Sequence, residues 1–106
     1  MSFDGKEGEF ISLTQGATLT ANYRSGQSNP ILGHFLGVEK LRALLSQEGC
    51  VGLRIYHGLD SDTGYPAVVV VGADSSENDI LGSSPLILDM SILCPPTCGN
   101  SNDLNS

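Results

Sequence analysis

The sequence CVGLRIYHGLDSDTGYPAVVVV at positions 50–71 sets the architecture of this chain. In its first part side chains alternate with a period of two. This predicts a strand over 51–57 with two faces, Val51, Leu53 and Ile55 on one and Cys50, Gly52, Arg54 and Tyr56 on the other. A turn-rich stretch at 58–64 follows, and AVVVV at 67–71 predicts a second, central strand that is apolar on both faces. Together the two strands predict an antiparallel hairpin.

Two helices are predicted before the hairpin. The segment SLTQ at 12–15 matches a capping box, in which Ser12 caps the amide of Gln15 and Gln15 reaches back, and a helix over about 13–24 follows. Residues 25–33 are predicted to form a loop. The second helix carries an apolar stripe, and Gly49 is placed just past its end. The members of the stripe are Val38, Leu41, Leu44 and Leu45.

A third strand is predicted over 86–93, before the prolines at 95 and 96. We therefore predict an α+β fold in which two N-terminal helices pack on a small, mostly antiparallel sheet built from 51–57, 66–72 and 86–93. The predicted organisation is a flexible N-terminus at 1–10, a single domain at 11–93 and a Pro/Cys-containing arm at 94–106. We expect this arm to dock against the body or a second subunit, with Leu104 as its apolar anchor.

The composition argues against several function classes. Five basic residues against twelve acidic residues give a net charge of −7, which disfavours binding to nucleic acid or to an anionic membrane. The longest apolar run, at 67–71, is too short to span a bilayer, and the N-terminus shows no apolar stretch typical of a signal peptide. We therefore expect a cytoplasmic protein, in which three cysteines are more often thiols or metal ligands than a disulfide framework. The segment CPPTC at 94–98 by itself suits a metal or disulfide knuckle or a rigid extended arm.

The cysteines suggest one alternative function. Cys50, Cys94 and Cys98 with His57 contain the ligand types of a zinc site. The spacing of Cys50 and His57 on one strand does not match that of structural zinc sites, and simple alternation places them on opposite faces unless a bulge intervenes. We predict a protein without a cofactor. Binding of zinc or iron, or thiol-redox chemistry at Cys50, Cys94 and Cys98, is the alternative.

No catalytic set is evident in the sequence. Asp62-Thr63-Gly64 has the composition of an aspartic protease motif, but it does not emerge from an apolar strand. Asp60 and Asp62 suit a calcium loop in part, although a hairpin turn requires the same residue types. His34 and His57 have no partner arrangement typical of a catalytic set. We therefore expect a protein that is not an enzyme.

Arg54 and Tyr56 are the predicted interface residues. They fall on one strand face beside Gly52, which leaves that face open, and both residue types are frequent in protein interfaces. The alternative is that Arg54 forms a salt bridge with a loop carboxylate while the ring of Tyr56 packs. The sequence thus predicts a small scaffold or adaptor that binds a protein partner or forms a homo-oligomer.

Several segments resemble a family of small uncharacterised bacterial proteins of about this length. They are LLSQEGC at 44–50, LRIYHG at 53–58, NDIL at 78–81 and CPPTC at 94–98. The resemblance spans most of the chain from Ile11 onward. It implies an intact small protein whose Cys-containing tail is natural, and it implies no particular activity.

Overall fold

A computed structural model describes residues 2–106 as a mixture of two helices and five antiparallel strands, which confirms the α+β class. The contacts divide the chain into two compact units. The first contains residues 2–7 and 36–91, and the second contains residues 8–35 and 92–106. No helix within residues 2–106 is long and apolar enough to cross a membrane. The elements are α1 Leu13–Ser25, β1 Gly33–Phe35, α2 Val38–Leu45, β2 Cys50–Leu59, β3 Pro66–Asp74, β4 Ile87–Leu88 and β5 Ile92–Cys94.

The predicted hairpin forms the centre of the first unit. β2 and β3 pair antiparallel, with Arg54 opposite Val71 and Ile55 opposite Val70. Val70 and Val71 are among the few fully buried side chains, as expected for the central strand of the β2–β3–β4 sheet. The stretch at 58–64 contains the turn that joins the two strands.

The third predicted strand does not form as one element. Within 86–93, β4 pairs with β3 in the first unit, whereas β5 pairs with β1 in the second unit. Met90, between them, has a φ of 64°, a left-handed conformation that interrupts an extended chain. The prediction of a single sheet is therefore wrong, because the protein has a three-stranded and a two-stranded sheet.

Helix α2 packs on the β2–β3 hairpin as predicted, with Leu44 buried beneath it. Gly72 on β3 permits this close approach. A Cβ atom there would lie 2.7 Å from Nε2 of Gln47 and 3.3 Å from the carbonyl oxygen of Leu44. Gly49 has a φ of 81° in the turn that leads from α2 to β2, the left-handed conformation that was expected.

Helix α1 begins with the predicted capping box. The amide of Gln15 donates to Oγ of Ser12 at 3.0 Å, and the amide of Ser12 donates to Oε1 of Gln15 at 2.9 Å. However, α1 belongs to the second unit, so the prediction that both helices pack on the hairpin sheet holds only for α2. The second unit also contains β1, which the sequence does not predict because three residues are too few to establish a period of two.

The C-terminal tail docks on α1 within the second unit, which confirms the prediction that it is held in place. Arg24 donates from Nη1 to the carbonyl oxygen of Leu104 at 2.9 Å and from Nη2 to the carbonyl oxygen of Ser106 at 3.1 Å. Leu104 lies against Gly16, whose Cβ position is 3.3 Å from Cδ2 of the leucine. A disulfide between Cys94 and Cys98 closes the start of the tail.

Candidate functional site

The site is built on strand β2, where Arg54 and Tyr56 project from the same face of the hairpin. The register places them opposite Val71 and Val69, so the strand alternation predicted for them is confirmed. The segment after β3 turns back through Glu77, whose φ is 71°, and Asp79 forms a bridge with Ala73. This turn brings Asp79 beside the two predicted side chains.

Asp79 binds both predicted interface residues. Its Oδ1 atom lies 2.6 Å from Nη1 of Arg54, and its Oδ2 atom accepts a hydrogen bond from the hydroxyl of Tyr56. Nη1 of Arg54 also donates to the carbonyl oxygen of Glu77 at 3.3 Å. Arg54 therefore forms the salt bridge with a loop carboxylate that the sequence left as an alternative, and Tyr56 joins it.

This arrangement perturbs all three titratable groups. The hydrogen bond from Tyr56, together with the nearby guanidinium of Arg54, lowers the pKa of Asp79, although desolvation acts in the opposite direction. The hydrogen bond to Asp79 and desolvation raise the pKa of Tyr56. The hydrogen bond with Asp79 likewise raises the pKa of Arg54. The cluster is therefore held as a charged Arg–Asp pair with a neutral tyrosine.

The N-terminal residues of the first unit lie beside the cluster. The guanidinium carbon of Arg54 is 5.5 Å from the centre of the Phe3 ring, within the range of a cation–π contact. The amide of Phe3 donates to the carbonyl oxygen of Ser75 at 3.0 Å. An open cleft of about 430 Å³ lies between this segment and the start of β2, with Glu7 on its wall. Nη1 of Arg54 already bonds to Asp79 and Glu77, and Arg54 also lines the cleft, so the cleft adjoins this cluster.

The most exposed apolar residues of the strand were missed by the sequence reasoning. Ile55 and Leu59 are 60% and 73% exposed, and Tyr56 is 44% exposed. Alternation placed Ile55 on the core face with Leu53, which is only half-buried. The reason for its exposure is that β2 is an edge strand, and strand order cannot be deduced from a period of two.

The structure does not gather the sulfur and imidazole groups into one site. A bulge between Cys50 and Gly52 turns the Cys50 sulfur toward Gly72, on the face that also holds His57. The two residues nevertheless stand about 20 Å apart along the strand, too far to share one ion. Cys94 and Cys98 belong to the second unit and are bonded to each other, whereas Cys50 is a free thiol. Residues 2–106 contain no group of three or more His, Cys, Asp or Glu placed to hold a metal.

The acidic residues of the hairpin turn have a structural role. Oδ1 of Asp60 accepts from the amide of Asp62 at 2.9 Å, and its carbonyl oxygen accepts from the amide of Gly64 at 2.7 Å. The first of these is the bond of an Asx turn, so Asp60 supports the hairpin turn that was the alternative to a calcium loop.

Comparisons with known proteins leave the geometry as the basis for a functional argument. No protein-family model, no curated protein and no solved structure matches this chain.

Proposed function

We propose that this protein is a non-enzymatic binding module that associates with protein, either a partner or further copies of itself. The observation that carries the proposal is the contrast between its small core and its large exposed apolar surface. Among residues 2–106, four apolar residues are buried, and they belong to the first unit: Leu44, Val70, Val71 and Ala73. Large apolar side chains are exposed in both units.

Exposed apolar side chains in the first unit support association. Leu45, Ile55 and Leu59 are 49%, 60% and 73% exposed. A standard protein interface buries about 800 Å² on each partner around an apolar centre. These side chains can contribute to such a centre.

The second unit contributes to this proposal through α1. That helix has no buried residue, although it carries exposed Leu13, Leu19 and Tyr23. Phe10 and Ile11, just before it, are also exposed. An isolated helix of this length is marginal in water, and burial of an apolar face normally supplies its stability. A protein surface that covers these residues would provide that burial.

The charge favours protein over other partners. A net charge of −7 opposes binding to phosphate backbones and to anionic lipid headgroups, where affinity depends on Lys and Arg. Apolar contact with a protein surface has no such requirement.

Thiol-redox chemistry is the second candidate, and one observation favours it. Cys94 and Cys98 form a disulfide within a five-residue segment, so the pair is a dithiol in its reduced state. Cys50 has no cysteine partner among residues 2–106 and is therefore outside this candidate. A zinc or iron site would need Cys94 and Cys98 in the reduced form together with further ligands.

Light scattering coupled to size-exclusion chromatography tests the main proposal. We expect the molar mass to exceed that of one chain and to rise with protein concentration. Binding of a hydrophobic fluorescent dye to dilute protein should decrease as assembly proceeds. A protein that stays monomeric at every concentration, and that co-purifies with no protein from its own cells, contradicts the proposal. Metal content and thiol titration of the same samples test the second candidate.

A further inference from the structure

The outer edge of β2 is the longest unpaired strand edge in the described part of the chain. In the sheet order β2–β3–β4, β2 lies at one edge with ten residues, and β4 lies at the other with two. An unpaired edge presents a row of backbone N–H and C=O groups with which another strand can pair. This edge is therefore a template for the addition of a strand.

The backbone hydrogen bonds show which residues face the open edge. The amide of Asp60 donates to the carbonyl oxygen of Tyr65, so Asp60 and every second residue before it bond to β3. The carbonyl of Gly72, opposite Leu53, instead accepts from the amide of Ile80, on the side away from β2. Both observations agree on which residues of β2 bond to β3 and which do not. The residues that direct their amide and carbonyl groups to the open edge are Leu53, Ile55, His57 and Leu59.

The segment 53–59 lacks the features that usually protect an edge strand. Its sequence, LRIYHGL, contains no proline, lysine or carboxylate, and its one arginine is paired with Asp79. The bulge lies before this segment, and the N-terminal residues lie beside its start. The Cβ position of Gly5 is 3.4 Å from the carbonyl oxygen of Val51, and Phe3, Gly5 and Glu7 line a cleft with residues 51–55. Ile55 and Leu59 are exposed on the segment that remains.

We infer that the partner on this edge is a second copy of the same chain, whose β2 pairs antiparallel with this β2 about a twofold axis. This inference rests on the proposed function and names its partner. The chain has twelve acidic residues, yet none lies between Glu48 and Asp60. The strand itself therefore brings no carboxylate to the contact, and Asp79, which lies beside it, is paired with Arg54.

One register overlaps the whole open segment, and it centres on Tyr56. In that register Tyr56 faces Tyr56 of the second copy, and Leu53 faces Leu59. Arg54 faces Gly58, which leaves room for the long side chain, so no like charges oppose each other. Across the axis, Ile55 exchanges backbone hydrogen bonds with His57 of the second copy, and Leu53 does so with Leu59. This is possible because the pairing of β2 with β3 leaves the amide and carbonyl groups of these residues directed outward. The combined sheet has six strands and no long open edge.

Disulfide trapping tests this arrangement at residue resolution. In a Cys50→Ser background, Tyr56→Cys places two thiols in a directly opposed, non-hydrogen-bonded pair. The Cα atoms of such a pair are about 4.5 Å apart, within the range that a disulfide spans. Gly58→Cys is the matched control, because it lies on the same face of the same strand. Its Cβ position is 3.7 Å from Cβ of Ala67, an ordinary contact, yet the two copies of residue 58 are about 13 Å apart.

We expect mild oxidation to convert Tyr56→Cys to a covalent dimer and to leave Gly58→Cys uncrosslinked. Ile55→Pro provides the second measurement. The amide of Ile55 points to the open edge, so proline there removes no bond to β3 and should leave the fold intact by circular dichroism while abolishing the dimer. If Tyr56→Cys does not crosslink, or crosslinks no faster than Gly58→Cys, the inference is wrong.

The same experiments separate this inference from the proposed function. If the unmodified protein assembles, but Ile55→Pro assembles equally well, the β2 edge is not the interface and association uses another surface. If the unmodified protein is monomeric and binds no protein, both the inference and the proposed function fail.

Discussion

Arg54 and Asp79 form an ion pair with 2.6 Å between Nη1 and Oδ1, although 25 positions separate them in the sequence. The pair connects an edge strand to the segment after β3, and Tyr56 completes it through the second carboxylate oxygen. The bonds to Asp79 fix the side chains of Arg54 and Tyr56, which would otherwise extend from the edge strand. The pair thus orders the surface on which we propose that a second copy docks.

The stability contributed by Asp79 should depend on pH in the acid range. The pKa of Asp79 in the folded protein lies below its ordinary value of 3.8. A lowered carboxyl pKa gives a contribution that is complete above the unfolded value and is lost as the pH falls through the folded value. We expect the melting temperature of the unmodified protein to exceed that of Asp79→Asn at neutral pH. This difference should disappear well below pH 3.8. A difference that is constant with pH would contradict this view of the pair.

The contribution of Tyr56 should show the opposite dependence. Its folded pKa lies above the ordinary value of 10.0, so its contribution is complete below that pH and is lost as the pH rises through the folded value. The gap in melting temperature between the unmodified protein and Tyr56→Phe should therefore close only in strongly alkaline solution. An absorbance titration of the phenol gives an independent reading. Asp79→Asn should shift part of the tyrosine ionisation to lower pH.

Gly72 should tolerate a side chain poorly, because Sγ of Cys50 and the carbonyl oxygen of Leu44 on α2 lie 3.1 Å and 3.3 Å from its Cβ position. We expect Gly72→Ala to destabilise the protein by about 1–3 kcal/mol, the usual cost of overpacking a close contact. Gly52 on β2 is the matched control, since nothing lies within 4 Å of its Cβ position. Gly52→Ala should change the free energy of unfolding by no more than about 0.5 kcal/mol. Denaturant titration of both variants measures the difference. Equal effects would show that α2 does not approach β3 as closely as described.

Leu44 should carry more of the stability than any neighbour on α2. It is 2% exposed, whereas the adjacent Leu45 is 49% exposed. Removing a buried leucine costs about 2–5 kcal/mol, which would unfold a large fraction of a marginally stable protein. We therefore expect Leu44→Ala to lower the free energy of unfolding by that amount, and Leu45→Ala to have a much smaller effect on the monomer. If Leu45→Ala is the more damaging change, the apolar stripe of α2 faces the other way.

The elements with strong local signals were predicted from the sequence, and those fixed by distant contacts were not. The capping box at Ser12 and the apolar stripe ending at Leu45 depend on spacing within one turn or two. Helix α1 was therefore placed within one residue of its observed bounds, whereas α2 ends at Leu45, earlier than the end just before Gly49 that was predicted. The hairpin was predicted because the alternation of side chains extends over the whole of 51–57 and is followed by a turn-rich stretch at 58–64. Strand β1 and the split of 86–93 depend on which strand pairs with which, and nothing local encodes that choice.

The candidate site shows the same division. Arg54 and Tyr56 were identified because alternation places them on one face of a predicted strand. Asp79 was not, because its approach depends on the turn at Glu77 and on the bridge to Ala73. The Cys94–Cys98 disulfide was one of the alternatives left open but was not favoured, because a cytoplasmic location had been inferred and thiols or metal ligands are more frequent there. The bulge after Cys50 was considered only as the feature that would bring Cys50 and His57 to one face, because bulges leave little trace in a sequence.

The last prediction concerns the tail, which Arg24 holds against α1 by two hydrogen bonds to backbone carbonyl oxygens. Arg24→Ala removes both donors and leaves Leu104 as the remaining anchor. We expect the C-terminal residues of this variant to be removed faster by a carboxypeptidase, because fraying is the default for a chain end that is not tied down. Arg42→Ala, a change to an exposed arginine on α2 in the other unit, is the control and should be digested at the rate of the unmodified protein. Deletion of residues 94–106 should go further and lower the melting temperature or break up the assembly, since it also removes the Cys94–Cys98 disulfide and the pairing of Cys94 with Gly33 of β1. If Arg24→Ala is digested no faster than the control, the tail is held by contacts other than this arginine.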